Sequence, residues 1–124
     1  SFVIGRWEEN VALDEEGAKF TRTSIGKTFS GDIVGTSVGE MVMAGGSGGW
    51  RAYVGFDRFS VTLGGRGGGF VLLHDAWGDA SGGTASWTVL RSSGTGELTG
   101  LTGKAEIQRH DDGGHTLVLD YELG

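Results

Sequence analysis

The chain has 124 residues, 10 basic against 16 acidic for a net charge of −6, no cysteine, no proline and 26 glycines. That length fits one domain over residues 1–124, large enough to bury a core without staples. Cysteine-based disulfide, redox and metal chemistry is excluded, and the scattered basic residues offer no patch for a nucleic-acid backbone.

No apolar run reaches the length of a membrane span, so neither a membrane nor a nucleic acid is expected as a partner. The opening SFVIGRWEEN lacks the basic and apolar regions of a signal peptide, which gives a cytoplasmic expectation. No Met precedes Ser1, so a few N-terminal residues are expected to have been trimmed.

Glycine here has no G-x-y period, which excludes collagen. Clusters of Gly, Ser and Thr alternate with segments rich in Val, Phe, Trp and Tyr, as turns alternate with strands. The spacing predicts eight strands, at 2–9, 21–34, 37–44, 50–63, 66–77, 84–91, 103–110 and 115–123, and hence an all-β, eight-stranded antiparallel barrel or a sandwich. The stretch NVALDEEGAK, 10–19, reads as the long loop.

Gly26-Lys27-Thr28 mimics the end of a phosphate-binding loop, but Thr21 stands where that motif needs its first glycine and no helix follows. In VGEMVMAG, Glu40 is a lone charge in an apolar run, where burial would raise its pKa and make it a candidate acid. Leu63-Gly64-Gly65-Arg66 reads as a tight hairpin, because glycine accepts the positive φ that primed turns require. The segment 94–102 is expected to form one helical turn with Leu98 and Leu101 inward, and HDDGGH at 110–115 to be a second Gly-Gly hairpin. His110, Asp111, Asp112 and His115 have metal-ligating side chains, but hairpin tips are rich in Asp and Gly for turn reasons alone, and no metal is expected.

A two-residue loop at Gly64-Gly65 pairs Leu63 with Arg66, Asp57 with Leu72 and Gly55 with His74. One face then carries Tyr53, Gly55, Asp57 and Phe59 with Phe70, Leu72, His74 and Ala76; the other carries Ala52, Val54, Phe56 and Arg58 with Val71, Leu73, Asp75 and Trp77. A three-residue loop would swap the faces. Both faces are largely apolar, so one faces the interior and the other is expected to be covered, for which a homo-oligomer is the natural cover.

Asp57, His74 and Tyr53 form the most chemical constellation, since a carboxylate beside an imidazole orients it for general acid–base work. The same pair would serve equally as a hydrogen-bonded strut in a barrel wall. Arg58, on the opposite face, would bind a carboxylate or enolate, or pair with Glu40 or Asp75. Trp7, Phe29, Met41, Phe56, Phe70, Trp77, Trp87 and Tyr121 are candidates for the core or for lining a ligand pocket.

Several segments together resemble the DUF3224 family over nearly the whole chain: WEE at 7–9, FTR at 20–22, KTFSGDIVG at 27–35, YVGFDRFSVTLGGRGGGFVLLH at 53–74, SGTGEL at 93–98, GLTG at 100–103 and LDYEL at 119–123. The resemblance implies an eight-stranded antiparallel barrel related to the allene oxide cyclase barrel, able to hold an apolar ligand. AGGSGG at 44–49 is richer in glycine than the family's usual hairpin. The functional expectation is a small apolar molecule bound in the lumen without a cofactor, by a cyclase or isomerase that works through positioning and proton transfer. Its alternatives are a binding protein without chemistry and a structural or oligomerisation module.

Overall fold

The structure is a computed structural model that describes residues 1–123. Its strands are β1 (Phe2–Glu15), β2 (Ala18–Phe29), β3 (Ile33–Gly45), β4 (Arg51–Leu63), β5 (Arg66–Asp79), β6 (Gly82–Val89), β7 (Thr95–Gly96), β8 (Leu101–Arg109) and β9 (His115–Leu123). The neighbours run β4-β3-β2-β1-β9-β8-β6-β5, and β5 pairs back onto β4, so eight antiparallel strands close a ring. β7 is a short bridge beside it, joining Gly68 and Gly69 to Gly96 and Thr95. The chain is therefore the all-β antiparallel barrel that the strand spacing predicts. Among the described residues no helix is long and apolar enough to cross a membrane, a statement about helices alone.

The β4–β5 hairpin fixes every inward side chain. Gly64 and Gly65 have φ of 58° and 82°, the left-handed pair that a two-residue primed turn needs. The register is the one expected from that turn: Leu63 opposite Arg66, Asp57 opposite Leu72, Gly55 opposite His74. Along β4 burial then alternates, with Gly55, Asp57, Phe59, Val61 and Leu63 buried and Val54, Phe56 and Arg58 exposed.

Three boundaries differ from the sequence reading. Residues 10–19 are not a loop: they extend β1 and β2 past the core as a hairpin turning at Glu16-Gly17, and because both faces there are exposed the segment carries no burial signal. The expected strand 21–34 is cut at Ser30-Gly31-Asp32, which turns the chain into β3. HDDGGH forms a longer turn, in which His110 N–H donates to the Gly114 carbonyl and Gly113 N–H to the His110 carbonyl.

The barrel interior has two tiers. At the base, Phe2, Phe29, Phe59 and Phe70 form a chain of rings 4.6–5.2 Å apart, with Phe59 and Phe70 stacked. Val61, Leu63, Leu72, Val89 and Ala105 surround them. The segment after β6 folds across this end by backbone bonds three residues apart, from Leu98 to Thr95 and from Leu101 to Leu98, and drives the fully buried Leu98 and Leu101 inward as a plug. The expected helical turn is thus a single tight turn with its leucines where the sequence places them. Above this apolar base lies a polar tier of Thr23, Lys27, Ser37, Asp57 and His74, all buried.

Candidate functional site

The polar tier follows from strand alternation. On β2 the inward residues are Thr23, Ile25, Lys27 and Phe29; on β3 they are Ile33, Ser37, Gly39 and Met41. Side chains therefore converge from β2, β4 and β5 at one height, where β3 contributes small ones. Gly39 sits opposite Asp57, and a Cβ there would collide with Asp57 Oδ1. Glycine at this position is what lets a carboxylate lie flat against the wall.

Asp57 is fully buried and lies between two partners. Lys27 Nζ donates to Asp57 Oδ2 at 2.7 Å, and His74 Nε2 is 3.0 Å from the same oxygen. The second contact is close but off the line of the ring N–H, so Nε2 has no well-formed hydrogen bond, and Asp57 Oδ1 has no partner. Burial pushes the Asp57 carboxyl up, but His74 and Lys27 outweigh it and hold the group below its ordinary 3.8. Asp57 is a carboxylate in the interior. Thr23 Oγ1 and Ser37 Oγ are likewise buried without hydrogen-bond partners. Native interiors leave few such groups.

Over this tier the lumen opens as a cleft of about 120 Å³, lined by Phe2, Ile4, Trp7, Ile25, Lys27, Met41, Met43, Tyr53, His74, Ile107, Arg109 and His115. Trp7 reaches it because β1 bulges between Ile4 and Arg6, which shifts the register and sets Trp7 opposite the inward Ile25. A second cleft of about 370 Å³ at the rim shares Met43 and Tyr53 with the first and adds Ala76 and Trp77. Tyr53 is half-buried at their junction; burial raises its phenol pKa, which Trp87 and Arg109 partly offset and Asp75 reinforces. Its hydroxyl is a neutral donor.

The candidate residues divide accordingly. His74, Asp57 and Tyr53 share the lumen, with Trp87 edge-on to His74 at 6.5 Å. Arg58 and Glu40 are on the outer wall and cannot reach it. Arg58 lies over Gly69 and donates to the Phe59 carbonyl and to Thr95 Oγ1, which latches β7 to β4. Glu40 pairs with Ser24 Oγ and Arg22. Met41 and Trp7 line the cleft, whereas Phe29 and Phe70 belong to the base. Phe56 faces outward, Trp77 sits on the rim, and Tyr121 lines an outer groove beside Gly64.

Sequence reasoning missed Lys27, which was met only as part of a failed phosphate-loop match. The signal was available: a single Lys in the alternation Thr23, Ile25, Lys27, Phe29 belongs to an otherwise apolar inward face. Among the described residues, no group of three or more His, Asp or Glu is placed to hold a metal ion.

Residues 1–121 match the family model described as "Protein of unknown function (DUF3224)". The chain is also similar to a crystal structure of a protein with unknown function from that family in Shewanella oneidensis MR-1. The two are 28% identical, the alignment covers 100% of this chain and 97% of the other, and the TM-score is 0.79. No curated protein matches the chain.

Proposed function

The chain belongs to the DUF3224 family, and we propose that its barrel binds a small molecule with an apolar body in the upper lumen and isomerises or cyclises it by proton transfer at His74, without a cofactor. The observation that carries this reading is the buried Lys27–Asp57–His74 cluster at the floor of a cleft whose walls include Ile4, Trp7, Ile25, Met41, Met43 and Ile107. A cluster needed only as a strut would satisfy its own polar atoms. This one leaves Thr23 Oγ1, Ser37 Oγ and Asp57 Oδ1 buried without partners.

With Nε2 toward Asp57, the other imidazole nitrogen is left for the ligand. Asp57 is a positioning residue: its charge holds the ring and favours the proton on Nε2. His74 then takes a proton from a carbon next to a carbonyl, the electron pair moves onto the carbonyl oxygen, and the Tyr53 hydroxyl or a Lys27 N–H meets that oxygen. Where a carbon–carbon double bond flanks that carbon, return of the proton to the far end of the double bond moves it into conjugation with the carbonyl, an isomerisation in which nothing is gained or lost. The 120 Å³ cleft holds only the reacting head of such a ligand, since drug-sized pockets run about 300–1,000 Å³. The body would lie along the 370 Å³ rim cleft. The relation to the allene oxide cyclase barrel belongs to the same proposal.

Native mass spectrometry of His74→Ala, purified from its own cells, tests this reading. The variant should retain a small molecule that wild-type protein converts to a product of equal mass and different chromatographic retention. Return of the molecule unchanged leaves a binding protein without chemistry.

A second reading concerns the outer wall. Val38, Val42, Val54, Phe56 and Trp77 are 46–56% exposed on adjacent strands, and Val42 pairs directly with Val54. Such a patch supports a homo-oligomer. Sedimentation should give a multimer that Phe56→Glu disperses, and a monomeric wild type would end the idea.

A further inference from the structure

The reading of the lumen as a ligand site leaves open what kind of head group enters it, and the inference below rests on that reading. The charged and polar side chains that line the inner cleft are Lys27, Tyr53, His74, Arg109 and His115. No carboxylate is among them, although the protein carries 16 acidic residues and a net charge of −6. Of the acids nearby, Asp57 beneath the cleft is paired with Lys27, Glu9 on β1 accepts the indole N–H of Trp7 at 2.5 Å, and Asp75, whose charge reaches Tyr53, is exposed on β5 and does not line the cleft.

The donors are underused. A lysine ammonium has three N–H groups. Lys27 is 7% exposed, spends one N–H on Asp57, and rests its charge 5.4 Å from the Phe2 ring. Arg109, across the mouth on β8, makes no ion pair among the described residues. Its charge nevertheless reaches the cleft, where it favours ionisation of Tyr53. His115 stacks on Phe2 at 5.2 Å on the same side. The walls between these groups are Ile4, Trp7, Ile25, Met41, Met43 and Ile107.

We propose that the ligand of this lumen is an organic anion with an apolar body, its carboxylate seated between Lys27 and Arg109, which leaves the Tyr53 hydroxyl for the reacting carbonyl, and its body running toward Met43 and the rim. A carboxylate accepts several charge-assisted bonds at once, and such bonds are about twice as strong as neutral ones. A cation in the same place would meet the charges of Lys27 and Arg109 and no carboxylate in the cleft lining.

The test uses the whole chain and three probes with one tail: octanoate, octanol and octylammonium, followed by tryptophan fluorescence and calorimetry. Octanoate should bind at least about ten-fold more tightly than octanol, a difference of about 1.4 kcal/mol. Octylammonium should bind more weakly than either. Arg109→Gln, an exposed change that leaves the core intact, should reduce the octanoate preference about three-fold or more while octanol binding is unchanged. Equal binding of octanoate and octanol, or preference for octylammonium, overturns the anion assignment and leaves the lumen site standing. If none of the three binds, the lumen reading fails, and this inference with it.

Discussion

The two ends of the barrel interior are built on opposite principles. The base is packed with Phe29, Phe59, Phe70, Leu98 and Leu101 and has no buried polar side chain to satisfy. The upper tier buries a Lys, an Asp and a His and leaves several of its hydrogen-bonding atoms unpaired. Burying charge is costly even when the ions are paired, and apolar replacements of such pairs are often neutral or better for stability. A fold that needed only to be stable would have continued the phenylalanines upward. That it does not is the physical reason for proposing that the base serves stability and the upper tier function.

The largest effects should come from emptying the base. Phe70→Ala removes a ring stacked on Phe59 in a fully buried site and should cost about 3–5 kcal/mol in urea unfolding. A loss below about 1 kcal/mol would mean that the base does not hold the fold.

Asp57→Ala should cost nearly as much, about 3–5 kcal/mol, because it strands Lys27 uncompensated in the interior. The double change Asp57→Ala with Lys27→Met should recover most of that loss, since it removes both charges together. A double variant as unstable as the single one would show that the pair is structural after all.

The same pair makes the protein sensitive to acid. The Asp57 carboxyl titrates below its ordinary value when folded, so its contribution to stability is complete above that value and is lost as the pH falls through the folded one. Asp57→Asn should therefore show a shallower fall in unfolding free energy below about pH 4 than wild type. An unchanged acid limb would place the sensitivity elsewhere.

Gly39→Ala sets a methyl against Asp57 Oδ1 and should cost about 1–3 kcal/mol. Glu40→Gln, on the outer wall in an exposed contact with Arg22, should change stability by less than about 1 kcal/mol.

How much of this could be read from the sequence follows the same division. The hairpin at Gly64-Gly65 has a strong local cause, so the register, the inward Asp57 and His74 and the outward Arg58 are all legible there. The inward Leu98 and Leu101 are legible for a similar reason, being apolar residues in a turn-forming stretch. The distal β1–β2 hairpin is not, because strands exposed on both faces lack alternation. The ion pair of Lys27 with Asp57 is not legible either: the two are 30 residues apart on strands that are not neighbours, and they meet across the small inward residues of β3, which pairs with both.

Met43 borders both lumenal clefts and is half-buried, so Met43→Trp fills the mouth without touching the base or the ion cluster. Native mass spectrometry and urea unfolding on one preparation of this variant test the division of labour most directly. The account predicts that the wild type carries a bound small molecule, and that Met43→Trp loses it while keeping an unfolding midpoint close to wild type. A wild type that holds no molecule, or a variant that keeps it in full, would contradict the assignment of the upper tier to function.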